Sequence, residues 1–292
     1  SMTSGPVIAL LFASLPTAAR RLGDPELLRG YLALIHQLSA KAARGLRPML
    51  GNIDQLLSML TLSGLRRWAN FGADAYRLLQ DWRGGDEAAL AKALDYVDLL
   101  ERHTLDAAGD GYLEACTREW QRLDDTLLGP AGLDVSKTMN THLHLLEAYT
   151  AVHRSFPSET TAQRLRNAID ILRERILDRE TGHLRLFFDR SWQSLDPVIS
   201  FGHDIEASWL LWEAGEVLGD DALRDSLKRD VLLLATTCLE QGLAPGGHVC
   251  NELHPQSGRL ADEAVWWVQA EGMVSGLFMY RLTGDETYYD VF

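Results

Sequence analysis

Apolar residues recur at three- and four-residue spacing along most of the chain, the periodicity of amphipathic helices, and the runs that could form strands are few and short. Polar turns punctuate this pattern at Gly23-Asp24, Gly85-Asp86, Pro157-Ser158-Glu159, Gly219-Asp220 and Gly284-Asp285. Successive turns lie roughly 62, 72, 62 and 65 residues apart, a period that indicates stacked helix pairs rather than a mixed sheet. A second landmark follows about 20 to 25 residues after each of the later turns, at 106–114, 178–188 and 242–249. Each is a glycine-containing bend leading into a short β-prone run. One repeat therefore reads as helix, long loop with a small hairpin, helix, short turn. Long loops that emerge together at one end of such a stack are where function gathers.

Residues 1–74 fit the repeat poorly. They carry eight Lys/Arg against four Asp/Glu, whereas the remainder carries 20 against 37, and they lack the glycine bend and β-run. Helices are expected over 27–43 and 54–79, so 1–74 reads as a divergent helical segment and 75–292 as the repeat-bearing domain. The net charge of −13 argues against nucleic acid as a partner. Cys116, Cys238 and Cys250 have no metal-ligand spacing and read as reduced thiols of a cytoplasmic protein. The apolar stretch from Val7 to Leu15 is too short to span a membrane.

Three helices carry chemistry. The run from His203 to Val217 has no proline, Ser200 and Gly202 supply a cappable, flexible start, and His203 and Glu206 share a face among Ile205, Trp209, Leu210, Leu211 and Trp212. A histidine beside a carboxylate in apolar company is a general acid/base candidate, and equally a core histidine satisfied by its neighbour. On the helix beginning near Lys137, residues Asn140, His144 and Glu147 form one stripe, while His142 points elsewhere and cannot pair with His144 on a metal. Trp266 and Trp267, followed by Gln269 and Glu271, combine flat apolar faces with hydrogen-bonding groups, as a sugar ring requires, or serve as core packing. Three such stripes on successive repeats point to one shared pocket.

Four stretches, Met139 to Tyr149, Thr181 to Asp189, Ser200 to Leu211 and Trp266 to Glu271, resemble the cellobiose 2-epimerases of the N-acylglucosamine 2-epimerase superfamily. The resemblance covers about residues 75–292 and implies an all-α (α/α)6 toroid of helix hairpins, with short β-hairpins in the long loops. At about 65 residues per repeat the chain makes roughly four and a half helix pairs, so an incomplete ring is expected. Carried over residue by residue, the resemblance implies that His203, Glu206 and His144 do the acid/base work and that Asn140, Trp266, Trp267 and Glu271 hold the sugar. The family's early arginine and C-terminal histidine have no counterpart in the matched stretches, and Val268 stands where the family has proline.

The implied reaction is epimerisation at C2 of the reducing-end glucose of cellobiose or a similar β-1,4 disaccharide through an enediolate, without cofactor or metal. The sugar is the expected partner, with no membrane involved, and the chain is expected to act as a monomer or homodimer. Three other readings stay open at this point. An aldose–ketose isomerase would use the same enediolate. A glycoside hydrolase would need paired carboxylates, such as Glu147, Glu206 or Glu271, across the scissile bond. A catalytically inactive sugar-binding or interaction fragment would use the pocket without the chemistry.

Overall fold

A computed structural model describes residues 87–107, 110–117, 119–121, 134–195 and 197–290, all within the second of the two units into which the chain divides, Ala75–Phe292. The divergent segment 1–74, the helices expected over 27–43 and 54–79, and the turns at Gly23-Asp24 and Gly85-Asp86 lie outside the described residues.

The fold is all-α. Helix α1 (Glu87–His103) is followed by β1 (Lys137–Thr138), α2 (Met139–Ser155) and α3 (Glu159–Ile171), which ends in a π-helical turn, Leu172–Ile176. Next come β2 (Leu177–Asp178), β3 (His183–Leu184), β4 (Phe187–Phe188), β5 (Ile199–Ser200), α4 (Phe201–Leu218) and α5 (Asp221–Gly242). The described chain closes with β6 (Glu252–His254), β7 (Arg259–Ala261), α6 (Trp266–Thr283) and α7 (Thr287–Asp290). Helix α4 packs between α2 and α6 to make one layer, and α3 and α5 back it in a second. Leu143, Leu146, Leu165, Ile169, Leu211, Leu227, Val231 and Leu234 are fully buried. Each such side chain stabilises the fold by about 1.5–3 kcal/mol relative to exposure. None of the described helices is long and apolar enough to cross a membrane.

The turns do what the repeat pattern requires. Gly219 and Gly284 close α4 and α6 in the left-handed conformation (φ 73° and 75°). Asp220 then caps the next helix by accepting from Leu223 N–H at 3.0 Å, and Asp285 shapes the turn into α7 by accepting from Thr287 N–H at 2.9 Å. Ser158 and Thr161 form a reciprocal capping box at the start of α3. The expected hairpins are present as well. Leu105 bridges Tyr112, β2 pairs antiparallel with β3, and Leu243 bridges Val249, with Gly111, Gly182 and Gly247 at φ 74°, 76° and 81°.

Two further loops share a geometry that the sequence reading overlooked. In Thr117 to Gln121 and in Asp189 to Gln193 the first N–H donates to the last carbonyl, at 2.6 and 3.0 Å, and the tryptophan between, Trp120 or Trp192, sits at φ 64° or 71°. A bulky residue there costs about 1–2 kcal/mol. Trp192 offsets this through ring contacts with Phe188 and His142 and by lying under the Lys137 ammonium, 4.8 Å from the ring centre. The repeated Trp-Gln, 72 residues apart, was a usable signal.

Beneath these loops lies an ion cluster. Asp106 (1% exposed) takes two bonds from Arg190, at 3.0 and 2.8 Å, and faces the fully buried Lys137 at 3.2 Å. Lys137 also donates to the Arg190 carbonyl at 2.8 Å, so the first hairpin, the start of α2 and the loop after β4 meet at one point. The Arg190 hydrogen bonds, helped by Lys137, outweigh burial and hold the Asp106 carboxyl down at about 2. Its stabilising contribution is therefore present above the ordinary carboxylate range and disappears as pH falls through about 2. Asp106→Ala removes the carboxylate from a buried ammonium and is expected to destabilise the fold by about 3 kcal/mol, measured as a lower denaturant midpoint with unchanged slope.

Candidate active site

The start of α2 is set by its neighbours. Strand β1 pairs with β4, and Thr138 caps the helix by accepting from Thr141 N–H at 3.1 Å while donating its hydroxyl to Glu114 at 2.6 Å. This rotation buries Met139, Leu143 and Leu146 and leaves Asn140 and His144 exposed on the opposite side, with Glu147 half-buried. His144 Nδ1 stands 3.4 Å from Glu147 Oε2. His142 points into the core, as its position predicts. Its Nε2 accepts from Tyr112 N–H at 2.9 Å and its Nδ1 donates to Thr138 O at 2.6 Å, which fixes it as a neutral structural ring.

Helix α4 starts directly from β5, which pairs with β6. One stripe of α4 carries His203, Glu206 and Trp209, all half-buried, while Asp204 on the opposite side is wholly buried. Asp204 faces the β2–β3 hairpin, meeting His183 Nδ1 at 2.8 Å and accepting from Leu184 N–H at 2.8 Å. The start of the helix differs from expectation in two ways. Ser200 does not cap it: the hydroxyl lies 2.7 Å from His203 Nδ1 instead. Gly202 is not a flexible start but a point of close approach, where an added Cβ would stand 2.5 Å from the Trp267 ring.

Helix α6 supplies the third stripe. The Trp267 ring tilts over His203 with centroids 5.0 Å apart, and Glu271 is buried, accepting from Trp209 Nε1 at 2.8 Å. Trp266, 43% exposed, stands at the start of the helix. Gln269 is not available to a ligand in the way the sequence reading assumed. Its side-chain amide clamps Val249, accepting from the N–H at 2.9 Å and donating to the carbonyl at 2.8 Å. Trp209, read from sequence as apolar lining, proves to orient Glu271.

His144, Glu147, Glu206 and Glu271 come from three helices and act on one another electrostatically. His144 has a side chain 48% exposed yet senses all three carboxyls. Burial opposes its protonation, but Glu147, Glu206 and Glu271 outweigh burial and raise it to about 9. His203 is tuned the other way: burial, with the His144 charge adding to it, lowers it to about 4. Burial lifts Glu206 to about 7 against the pull of His144, and burial together with Glu206 pushes Glu271 well up. The structure thus brings together His203, Glu206, His144, Trp267 and Glu271. Asn140 lies one helical turn before His144 on the open side of α2. Among the described residues no group of three or more His, Cys, Asp or Glu is arranged to hold a metal ion.

The model of the N-acylglucosamine 2-epimerase family matches residues 80–292. The chain belongs to that family. The cellobiose 2-epimerase of Bacteroides fragilis is 43% identical over 201 residues, which are 69% of this chain and 51% of that protein. The Ruminococcus albus cellobiose 2-epimerase is 35% identical over 222 residues, 76% of this chain and 56% of that protein. The chain therefore spans a little over half the length of these relatives. Among solved structures, cellobiose 2-epimerase from Bacillus thermoamylovorans superposes with a TM-score of 0.72 at 32% identity, covering 77% of this chain and 57% of that one. A D-mannose isomerase at 17% identity and TM-score 0.61 shares the fold. The helix alternation described above is that of the family's α/α barrel.

Opposite tuning of two histidines in one site is directly measurable. In a proton NMR titration assigned with single histidine variants, His203 is expected to take up its proton only near pH 4 and His144 to release its proton only near pH 9.

Proposed function

We propose that the chain is a sugar 2-epimerase acting on the reducing-end glucose of cellobiose or a similar β-1,4-linked disaccharide. The observation that carries this reading is the gathering of polar groups from three helices, with the His203 ring against Trp267, Trp209 bonded to Glu271, and His144 within electrostatic reach of Glu147, Glu206 and Glu271. Membership of the family, and relatives named as cellobiose 2-epimerases, support the substrate class.

The chemistry follows from the carbonyl. Once the reducing-end ring has opened to its aldehyde, the C2 proton is acidified, and Nε2 of neutral His203 accepts it. The C2–H electron pair moves into a C1–C2 double bond, and negative charge develops on the former carbonyl oxygen. In this reading protonated His144 stabilises that oxygen by a charge-assisted hydrogen bond. Inversion to the mannose configuration needs a proton delivered to the other face of C2 by an acid other than the His203 imidazolium, which then releases its own proton to solvent, whereas return of the His203 proton to C1 gives a ketose. Glu206 and Glu271, with raised affinity for protons, donate hydrogen bonds to sugar hydroxyls in this reading, Asn140 adds another polar contact, and Trp266 and Trp267 offer faces to the sugar C–H surface. We place the reaction in the cytoplasm, where Cys116, Cys238 and Cys250, none of them in a disulfide, stay reduced.

The deciding experiment is incubation with cellobiose in deuterated water, followed by proton NMR at the reducing end. Loss of the C2 proton signal with growth of a mannose-type reducing end is expected, and His203→Ala is expected to slow it at least about 100-fold. A ketose product would replace the reading with an aldose–ketose isomerase, and absence of exchange would replace it with a sugar-binding role.

A further inference from the structure

We propose that Ser200 is a positioning residue that sets the tautomer of His203, holding the proton on Nδ1 so that Nε2 presents its lone pair to the substrate. The proposal rests on the reading of His203 as the proton-abstracting base. It starts from an anomaly at the start of α4. Serine is among the best residues at a helix N-cap, where its oxygen accepts from the backbone of the first turn, and losing that bond costs about 1 kcal/mol. Ser200 occupies the cap position in an extended conformation and makes no such bond. Its hydroxyl lies 2.7 Å from His203 Nδ1 instead.

The arrangement is built from several sides. Strand pairing of Ser200 with Glu252 fixes the Ser200 backbone, and the residue is buried. His203 follows three positions later, one turn into α4, so the hydroxyl and the ring meet without a long flexible link. Trp267 lies over the ring, and Gly202 leaves the room that this requires. Asp204, the adjacent carboxylate that could otherwise orient an imidazole, is engaged by His183 and by Leu184 N–H on the far side of the helix. Among the described residues none hydrogen-bonds Nε2 of His203.

A neutral imidazole has one N–H. If Ser200 Oγ accepted nothing and only donated to Nδ1, the proton would sit on Nε2, and that nitrogen could not take another. The 2.7 Å contact fits either direction; with Oγ as acceptor the proton sits on Nδ1 and Nε2 is basic, and the role of His203 as base requires this direction. When Nε2 takes the C2 proton of the sugar, the C–H electron pair passes to the enediolate, the ring becomes imidazolium, and the Nδ1–H bond to Ser200 persists. A hydroxyl in this place, rather than a carboxylate, orients the ring without raising its proton affinity. That accords with a base which stays neutral beside protonated His144.

The test reads the tautomer directly, by two-bond nitrogen–proton NMR of the full chain labelled at histidine, with His203→Gln identifying the signal. In the unsubstituted protein the proton is expected on Nδ1. Ser200→Ala is expected to move population to the Nε2–H form and to lower kcat for C2 proton exchange on cellobiose about tenfold, with KM within about twofold. Ser200→Thr, which keeps the hydroxyl, is expected to restore both. An Nε2–H ring in the unsubstituted protein, an unchanged tautomer in Ser200→Ala, or a shifted tautomer with unchanged kcat would each overturn the proposal. The NMR arm needs no turnover. If the chain did not exchange cellobiose at all, the epimerase reading would fail, while loss or retention of the Nδ1–H form in Ser200→Ala would still decide the role of Ser200.

Discussion

Between α4 and α6 the hydroxyls of Ser208 and Ser275 meet at 2.6 Å in full burial, and at the start of the same pair Trp267 lies against Gly202. Small residues at both levels let the two inner helices pack with their polar stripes turned the same way. The site depends on this. Were the approach looser, Trp267 would leave the His203 ring, and the bond from Trp209 to Glu271 would lose its geometry. On the other flank the start of α2 is held by Thr138, Glu114 and the Asp106–Lys137–Arg190 cluster, which lie outside the pocket and determine which way His144 faces.

The electrostatics grow from that packing. Two histidines with the same ordinary proton affinity end far apart because one stands among three carboxyls and the other is buried beside a cation. Separation of this kind is the pattern by which enzymes run both halves of a proton transfer near neutrality, and it is what the proposed acid and base roles draw on. The carboxyls contribute in turn. Burial keeps Glu206 and Glu271 more willing to hold protons than surface glutamates, so they can donate as well as accept hydrogen bonds.

Much of this was legible in the chain itself, because helical periodicity, Gly-Asp turns and glycine bends are local signals written in a few neighbouring residues. The repeat, the all-α class, the three loaded helices and the diversion of His142 away from His144 needed only spacing. Glycines at positive φ then appear in each hairpin because no other residue adopts that backbone at so little cost. The resemblance of four stretches to the cellobiose 2-epimerases was legible for the same reason, since each motif lies within about a dozen residues.

What only the tertiary structure decided were matters of direction and distance between elements. Ser200 is a natural helix cap by local rules, and its turning to His203 depends on the strand pairing that precedes α4. Gln269 looks like a sugar-binding amide on its helix, but it is consumed by a loop 20 residues earlier in the chain. Trp209 reads as apolar lining until Glu271 arrives from another repeat. In each case the deciding partner is remote in sequence, and hydrogen bonds and proton affinities are set by contacts within a few ångströms. The sequence could therefore name the helices and the polar residues that they bring together, but not the hydrogen bonds that each makes there.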